Sequence, residues 1–293
     1  MKRHWDEIIS IARDATWGVS MAKLAASSFL HNSDDRISPE EWDLRVNLAA
    51  CYRLMDRFGM TDMIYNHISA RIPGTEHFLI NPYGLLYTQI TASTLIKVNL
   101  NGTIISKSDD AYSVNMGGFT IHSAVHAARP DVHCVIHTHT RAGMAVSALK
   151  CGLLPISQTA MRFSDIAYHD YEGVTIDTDE CARLSAHLGN RNAMILRNHG
   201  LMVCAESIPQ AFNAIYWLER ACQIQIDALS CNRELEVPPL EIIEKTRQTY
   251  IDAEATLEKN ASPGAAQKAK SYGFLEWPAL IRALDQTDQS YRS

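Results

Sequence analysis

No dense run of basic residues, no apolar stretch as long as a membrane span and no Cys-x-x-Cys pair occurs in this chain of 293 residues. Lys+Arg number 27 against 33 Asp+Glu, a formal net charge of -6. Non-specific nucleic-acid binding is largely phosphate neutralisation by basic side chains, so no nucleic-acid partner is expected. A bilayer crossing needs roughly 20 consecutive apolar residues, and no membrane partner is expected either. The start, Met1-Lys-Arg-His-Trp-Asp-Glu7, has no apolar core behind its charges and no small-residue cleavage site, which argues against a signal peptide. The seven cysteines are an odd number, widely spaced, and most sit among apolar neighbours, as small buried hydrophobes do. A cytoplasmic protein is the expectation.

What is present is the composition of an ordinary globule, 46% hydrophobic and 20% charged. The length fits one large domain, or one domain with extensions. Residues 1–35 carry a weak helical pattern (Trp5, Ile8, Ile9, Trp17, Leu24) that ends in the polar run Asn32–Arg36. Ser38-Pro39-Glu40-Glu41 predicts a helix start, with a hydroxyl cap, proline at the first helical position and Glu41 at the capping-box place. The helix presents Leu44, Leu48, Cys51, Tyr52 and Met55 on one face and stops near Gly59. Ile64–Arg71 and His77–Asn81 are expected strands around the Pro73-Gly74 turn. Leu95–Leu100 and Thr103–Ser106 form a second expected hairpin, its Asn101-Gly102 suited to a type I′ turn.

Further along, Gly117-Gly118 precedes a helix, Phe119–Ala128, with His122 and His126 one turn apart. A short apolar strand then runs to His139, followed by a helix over about 141–149, strand and loop over 152–171 and a helix over 177–188. Strands flank His199, and Ser207-Ile208-Pro209 starts a long helix to about Leu229. Beyond Pro238-Pro239 come a polar helix (241–259), a break at Ser262–Gly264 and a short apolar helix containing Trp277. The hairpins predict a mixed or antiparallel sheet with helices on its faces, rather than repeated βαβ units.

The chemistry-bearing residues are histidines. His137 and His139 stand two apart at a strand end, where period two places both on one face. Imidazole suits zinc and neighbouring divalent ions, and three histidines plus an open position is a common catalytic arrangement. His199, at another strand end, precedes a glycine that permits a tight bend or a close backbone approach. On spacing alone a hydrogen-bonded pair in the core explains His137 and His139 better than a metal site does. His122 is either a proton-transfer group, a fourth ligand or a packed core histidine; His133 is expected at the surface.

The run Ile121-His-Ser-Ala-Val-His-Ala-Ala-Arg-Pro-Asp-Val-His-Cys-Val-Ile-His-Thr-His-Thr140, with Leu196-Arg-Asn-His-Gly200 and the helix after it, resembles the class II aldolase/adducin family. Ala148–Pro155 and Cys222–Ser230 lean toward its adducin-like branch, in the form of a stand-alone bacterial-type aldolase. The resemblance covers roughly residues 38–235. It implies an α/β fold, a three-layer α/β/α arrangement with a mixed, largely antiparallel central sheet. It also implies an N-terminal helical arm (1–35), a class II aldolase/adducin-like domain (36–237) and a C-terminal helical extension (238–293).

In the family's sugar-phosphate enzymes the histidines matching His137, His139 and His199 hold a zinc ion, which polarises a carbonyl and steadies an enediolate. The resemblance therefore implies a divalent metal here, Zn2+ first, with Fe2+ or Mn2+ as alternatives. It implies a small-molecule carbonyl substrate (hydroxy-carbonyl or keto-acid) and a homo-oligomer, a tetramer in the family. The family's acid/base glutamate falls on Gly118 in this chain, so the metal ligands carry over and the carboxylate does not. His122, Asp110 (or Asp109) and Tyr112 are the replacement candidates, with Tyr83 and Tyr87 behind them. Of the phosphate-binding pattern Gly84 carries over but most hydroxyls and amides do not. Arg197, with Arg71, Arg129 and Arg141, is a candidate to meet a substrate carboxylate. Three functions follow: a metal-dependent lyase of class II aldolase type, a mononuclear Fe(II) oxygenase, or a non-catalytic adducin-like interaction domain.

Overall fold

Ser38 opens the first described helix as its sequence predicts: its side chain accepts from the Glu41 N–H at 3.2 Å and Pro39 occupies the first turn. In the computed structural model, residues 37–173, 178–259 and 272–293 are described. The expected N-terminal arm and the break at Ser262–Gly264 lie outside them. The helices are α1 (Pro39–Arg57), α2 (Met116–Ala128), α3 (Arg141–Ser147), α4 (Gln158–Met161), α5 (Thr178–Leu188), α6 (Ile208–Ser230), α7 (Leu240–Lys259) and α8 (Glu276–Asp285). The strands are β1 (His67–Arg71), β2 (His77–Ile80), β3 (Ile96–Asn99), β4 (Ile104–Ser106), β5 (Cys134–Thr138), β6 (Ala167–His169), β7 (Ala193–Leu196) and β8 (Gly200–Ala205).

The strands form one sheet in the order β4-β3-β2-β1-β5-β8-β7-β6. Only β6 and β7 run parallel; the other neighbours are antiparallel. This is the mixed, largely antiparallel sheet expected, with helices on both faces. Strand alternation sorts the layers. Ile68, Cys134, Ile136, Leu201 and Val203 join the core under α1 and α6, whereas Val135, Met194, Met202 and Cys204 pack with Ile121 and Val125 of α2 and Leu184 and Leu188 of α5. His137 shares the parity of Val135, so it faces the α2 layer.

Three local expectations are corrected. Glu41 does not close a capping box on Ser38; its carboxylate turns inward to Arg45 (3.0 Å) and Lys97 (2.8 Å). Arg45 in turn donates to the carbonyls of Ala92 and Leu95, so the buried charges hold α1 to the segment that leads into β3. The Asn101-Gly102 turn is not type I′, which needs positive φ at both residues: only Gly102 has it, at 83°. Asn99 Oδ1 takes the N–H groups of Asn101 and Thr103 instead, and the β3–β4 register shifts at Lys97/Val98. Finally, α2 starts before Gly117-Gly118 rather than after them, because Asn115 caps it by accepting from both glycine N–H groups.

The terminal α8 docks on the same core. Trp277 is buried against Phe212 and donates its indole N–H to Asn47 Oδ1 at 2.9 Å. No described helix is long and apolar enough to cross a membrane.

Candidate metal centre

β5 and β8 pair so that His137 stands opposite Met202 and Thr138 opposite Leu201. That pairing brings the turn between β7 and β8, which holds His199, beside the end of β5. The bend itself is made by Asn198, at φ 55°, a left-handed conformation that asparagine tolerates. Gly200 serves the close approach rather than the bend. A Cβ there would lie 3.2 Å from His139 Cδ2 and closer still to the Thr138 carbonyl oxygen.

The three Nε2 atoms converge. His137 and His139 are 2.8 Å apart, His139 and His199 3.0 Å, His137 and His199 3.2 Å. His137 Nδ1 lies 2.9 Å from the Leu201 carbonyl oxygen, and His139 Nδ1 lies 3.2 Å from Asp62 Oδ2. A carbonyl and a carboxylate can only accept, so both Nδ1 atoms carry the proton and both Nε2 atoms present a lone pair. Lone pairs facing one another at this distance repel unless a cation or a proton stands between them. Tetrahedral coordination with Zn–N bonds of about 2.0–2.1 Å separates ligand nitrogens by roughly 3.3 Å, so the donor set fits a divalent ion. Among the described residues this is the one His/Cys/Asp/Glu group with that geometry.

Burial favours the neutral form of His137 and His199, the form that binds metal. It pushes His137 well below the ordinary histidine value, with His199, His67 and His139 adding to the effect. His199 is lowered to about 4 by burial and then by His139.

Behind the triad lies a buried polar column. His67 faces His137 across the β1–β5 pair, its ring stacked 5.0 Å away at 30°. His67 Nδ1 is 2.9 Å from His122 Nε2, His122 Nδ1 is 2.5 Å from Ser69 Oγ, and Ser69 Oγ is 2.8 Å from His126 Nε2. On the other side of the triad, the Thr140 hydroxyl donates to the buried Glu219 carboxylate of α6, which also accepts from the Gln223 side-chain amide at 2.9 Å. Burial raises the Glu219 carboxyl above its usual range.

The other sequence candidates are placed differently. His122 sits inside the column, wholly buried. Asp110 is exposed and pairs with Lys107 at 3.2 Å. Tyr112 packs its ring 3.5 Å from where a Cβ of Gly84 would stand, and Gly84 itself has φ 111°. Arg197 donates to the Leu149 carbonyl at 2.7 Å and lies over the Tyr168 ring, so its guanidinium is held within the fold. Asp62, His67 and Glu219 were not singled out by the sequence. Asp62 is one acid in a loop and left no signal. His67 and Ser69 did leave one: with Arg71 they are three polar residues at period two in a strand whose alternate positions, Ile68 and Ala70, are apolar.

The chain belongs to the class II aldolase/adducin family: the family model described as Class II Aldolase and Adducin N-terminal domain matches residues 46–226. It is 48% identical to an aldolase II superfamily protein of Pseudomonas syringae of known structure, covering 88% of this chain and 98% of that one with a TM-score of 0.76. An L-fuculose 1-phosphate aldolase from Glaciozyma antarctica is 26% identical over 92% of this chain and 97% of its own, with a TM-score of 0.71. Mouse alpha-adducin is 52% identical over 248 residues, which are 83% of this chain but 33% of adducin. The chain thus spans about a third of adducin's length.

Proposed function

We propose that this protein is a divalent-metal-dependent lyase of class II aldolase type, acting on a small hydroxy-carbonyl or keto-acid substrate. The observation that carries the reading is the convergence of three Nε2 atoms, two of them with tautomers fixed by Leu201 and Asp62. His137, His139 and His199 would hold the ion, which when bound supplies Lewis-acid polarisation of a substrate carbonyl. Leu201 and Asp62 orient the ligand rings, and burial of His137 keeps its lone pair available. Gly118 offers no proton-transfer group, so the proton would move through some other group at the site. Tyr171 is exposed beside the triad with its ring 6.2 Å from that of His199, close enough to meet a bound substrate. The family suggests a homo-oligomer, for which light scattering is the direct measurement.

Metal content tests the proposal. Protein purified anaerobically without a histidine tag should carry about one divalent ion per chain, and His137→Ala should lose it. Zinc supports the lyase. Iron with substrate-dependent oxygen consumption would move the assignment to an Fe(II) oxygenase on the same ligands. Absence of metal under replete conditions overturns both. It would leave the second reading, an interaction domain, which the 52% identity to alpha-adducin favours. Convergent imidazoles are not needed to bind a partner, and the lyase is the reading we adopt.

A further inference from the structure

We propose that Gly118 and His67 are an interlocked pair: the missing side chain at position 118 is what admits the His67 ring beside His137, and His67 thereby positions that ligand. Gly118 is the third residue of α2 and is not among the glycines with positive φ, so its backbone does not require glycine. A glycine inside a helix costs roughly 0.5–1 kcal/mol against alanine. The reason for it is spatial. A Cβ at 118 would lie 2.7 Å from His67 Cγ, and closer still to its Cδ2 and Nε2. The ring therefore fills the volume through which any side chain at 118 would leave the helix.

The ring has nowhere to retreat. It is 4% exposed, it belongs to a central strand, and its Nδ1 is hydrogen-bonded to His122 at 2.9 Å. One face lies against the His137 imidazole. Moving His67 would open a gap beside a ligand whose other ring nitrogen is tied to Leu201, leaving His137 free to tilt about that single bond. His67 is a positioning residue in this account, acting through His137.

The stability arm is independent of the metal reading, and the affinity arm rests on it. Helix propensity alone predicts that Gly118→Ala raises the melting temperature. The interlock predicts the opposite sign: Gly118→Ala should melt several degrees below the parent chain, or fail to fold. In a His67→Ala background the clash is gone, and adding Gly118→Ala should be neutral or raise the melting temperature. Gly118→Ala that stabilises the parent chain, or a double variant no better than Gly118→Ala alone, overturns the proposal.

The affinity arm uses cobalt(II) alone as the probe. Supporting residues around metal ligands are typically worth about 10–100-fold in affinity. Gly118→Ala and His67→Ala should each weaken cobalt binding by about tenfold or more and alter its visible bands, and combining them should cost little beyond His67→Ala. Unchanged bands and affinity in His67→Ala would overturn the positioning role. A parent chain that does not bind cobalt would refute the metal reading, while the melting comparison would still decide the interlock.

Discussion

Asp62 Oδ2 lies 3.2 Å from Nδ1 of His139, a contact that closes across 77 residues of chain. The carboxylate holds the Nδ1–H tautomer and aims the Nε2 lone pair at the same point as those of His137 and His199. Removing it should leave the fold intact, because the Asp62 side chain is 42% exposed, yet loosen the site. Asp62→Ala is expected to lower metal affinity about 10–100-fold, read by competition with a chromophoric chelator, with a melting temperature close to the parent's.

Metal binding and folding should be linked. An ion that binds only the folded chain stabilises it by about 2.7 kcal/mol at a free concentration one hundred times its Kd. Chelator should therefore lower the melting temperature by several degrees. His199→Ala should show the same melting temperature with and without chelator; a retained difference would place the ion elsewhere.

The buried histidine column makes stability depend on pH. His126 is lowered to about 3, by burial first and then by the charge of Arg71, while the unfolded chain takes up its proton near 6.5. A folded value below the unfolded one gives a contribution fully present above about pH 6.5 and lost progressively as pH falls toward 3. His122, pushed down by burial and then by His126, acts in the same direction. Metal-free protein should thus melt at a steady temperature just above neutrality and at falling temperatures below about pH 6.5. In His126→Asn the acid slope should be shallower; an unchanged slope would remove His126 from the account.

Glu41 is 4% exposed and meets two cations, Arg45 and Lys97. Removing one partner of a buried ion pair leaves uncompensated charge, typically at about 3–5 kcal/mol. Glu41→Ala should lose stability on that scale in urea denaturation without changing metal affinity. A loss of only a few tenths would mean that solvent reaches these charges.

Local patterns carried most of the secondary structure, because caps and periodicity act within a few residues. Ser38-Pro39, Ser207-Ile208-Pro209 and the short apolar strand around Cys134–Thr138 are legible from neighbours alone, as is the placing of His137 and His139 on one face. The convergence of His199 on that pair was not legible from spacing. It depends on β8 lying beside β5, a pairing between segments some 60 residues apart that no local signal specifies. The same distance hid Asp62, and it hid the inward turn of Glu41, which a capping-box reading assigns to its own helix end although Lys97 lies 56 residues away. Gly118 shows the division most sharply. In sequence it is an absence at the place where the resemblance implies a carboxylate. In the fold it is the space that His67 occupies, because β1 and α2 pack closely enough that only one of the two positions can carry a side chain.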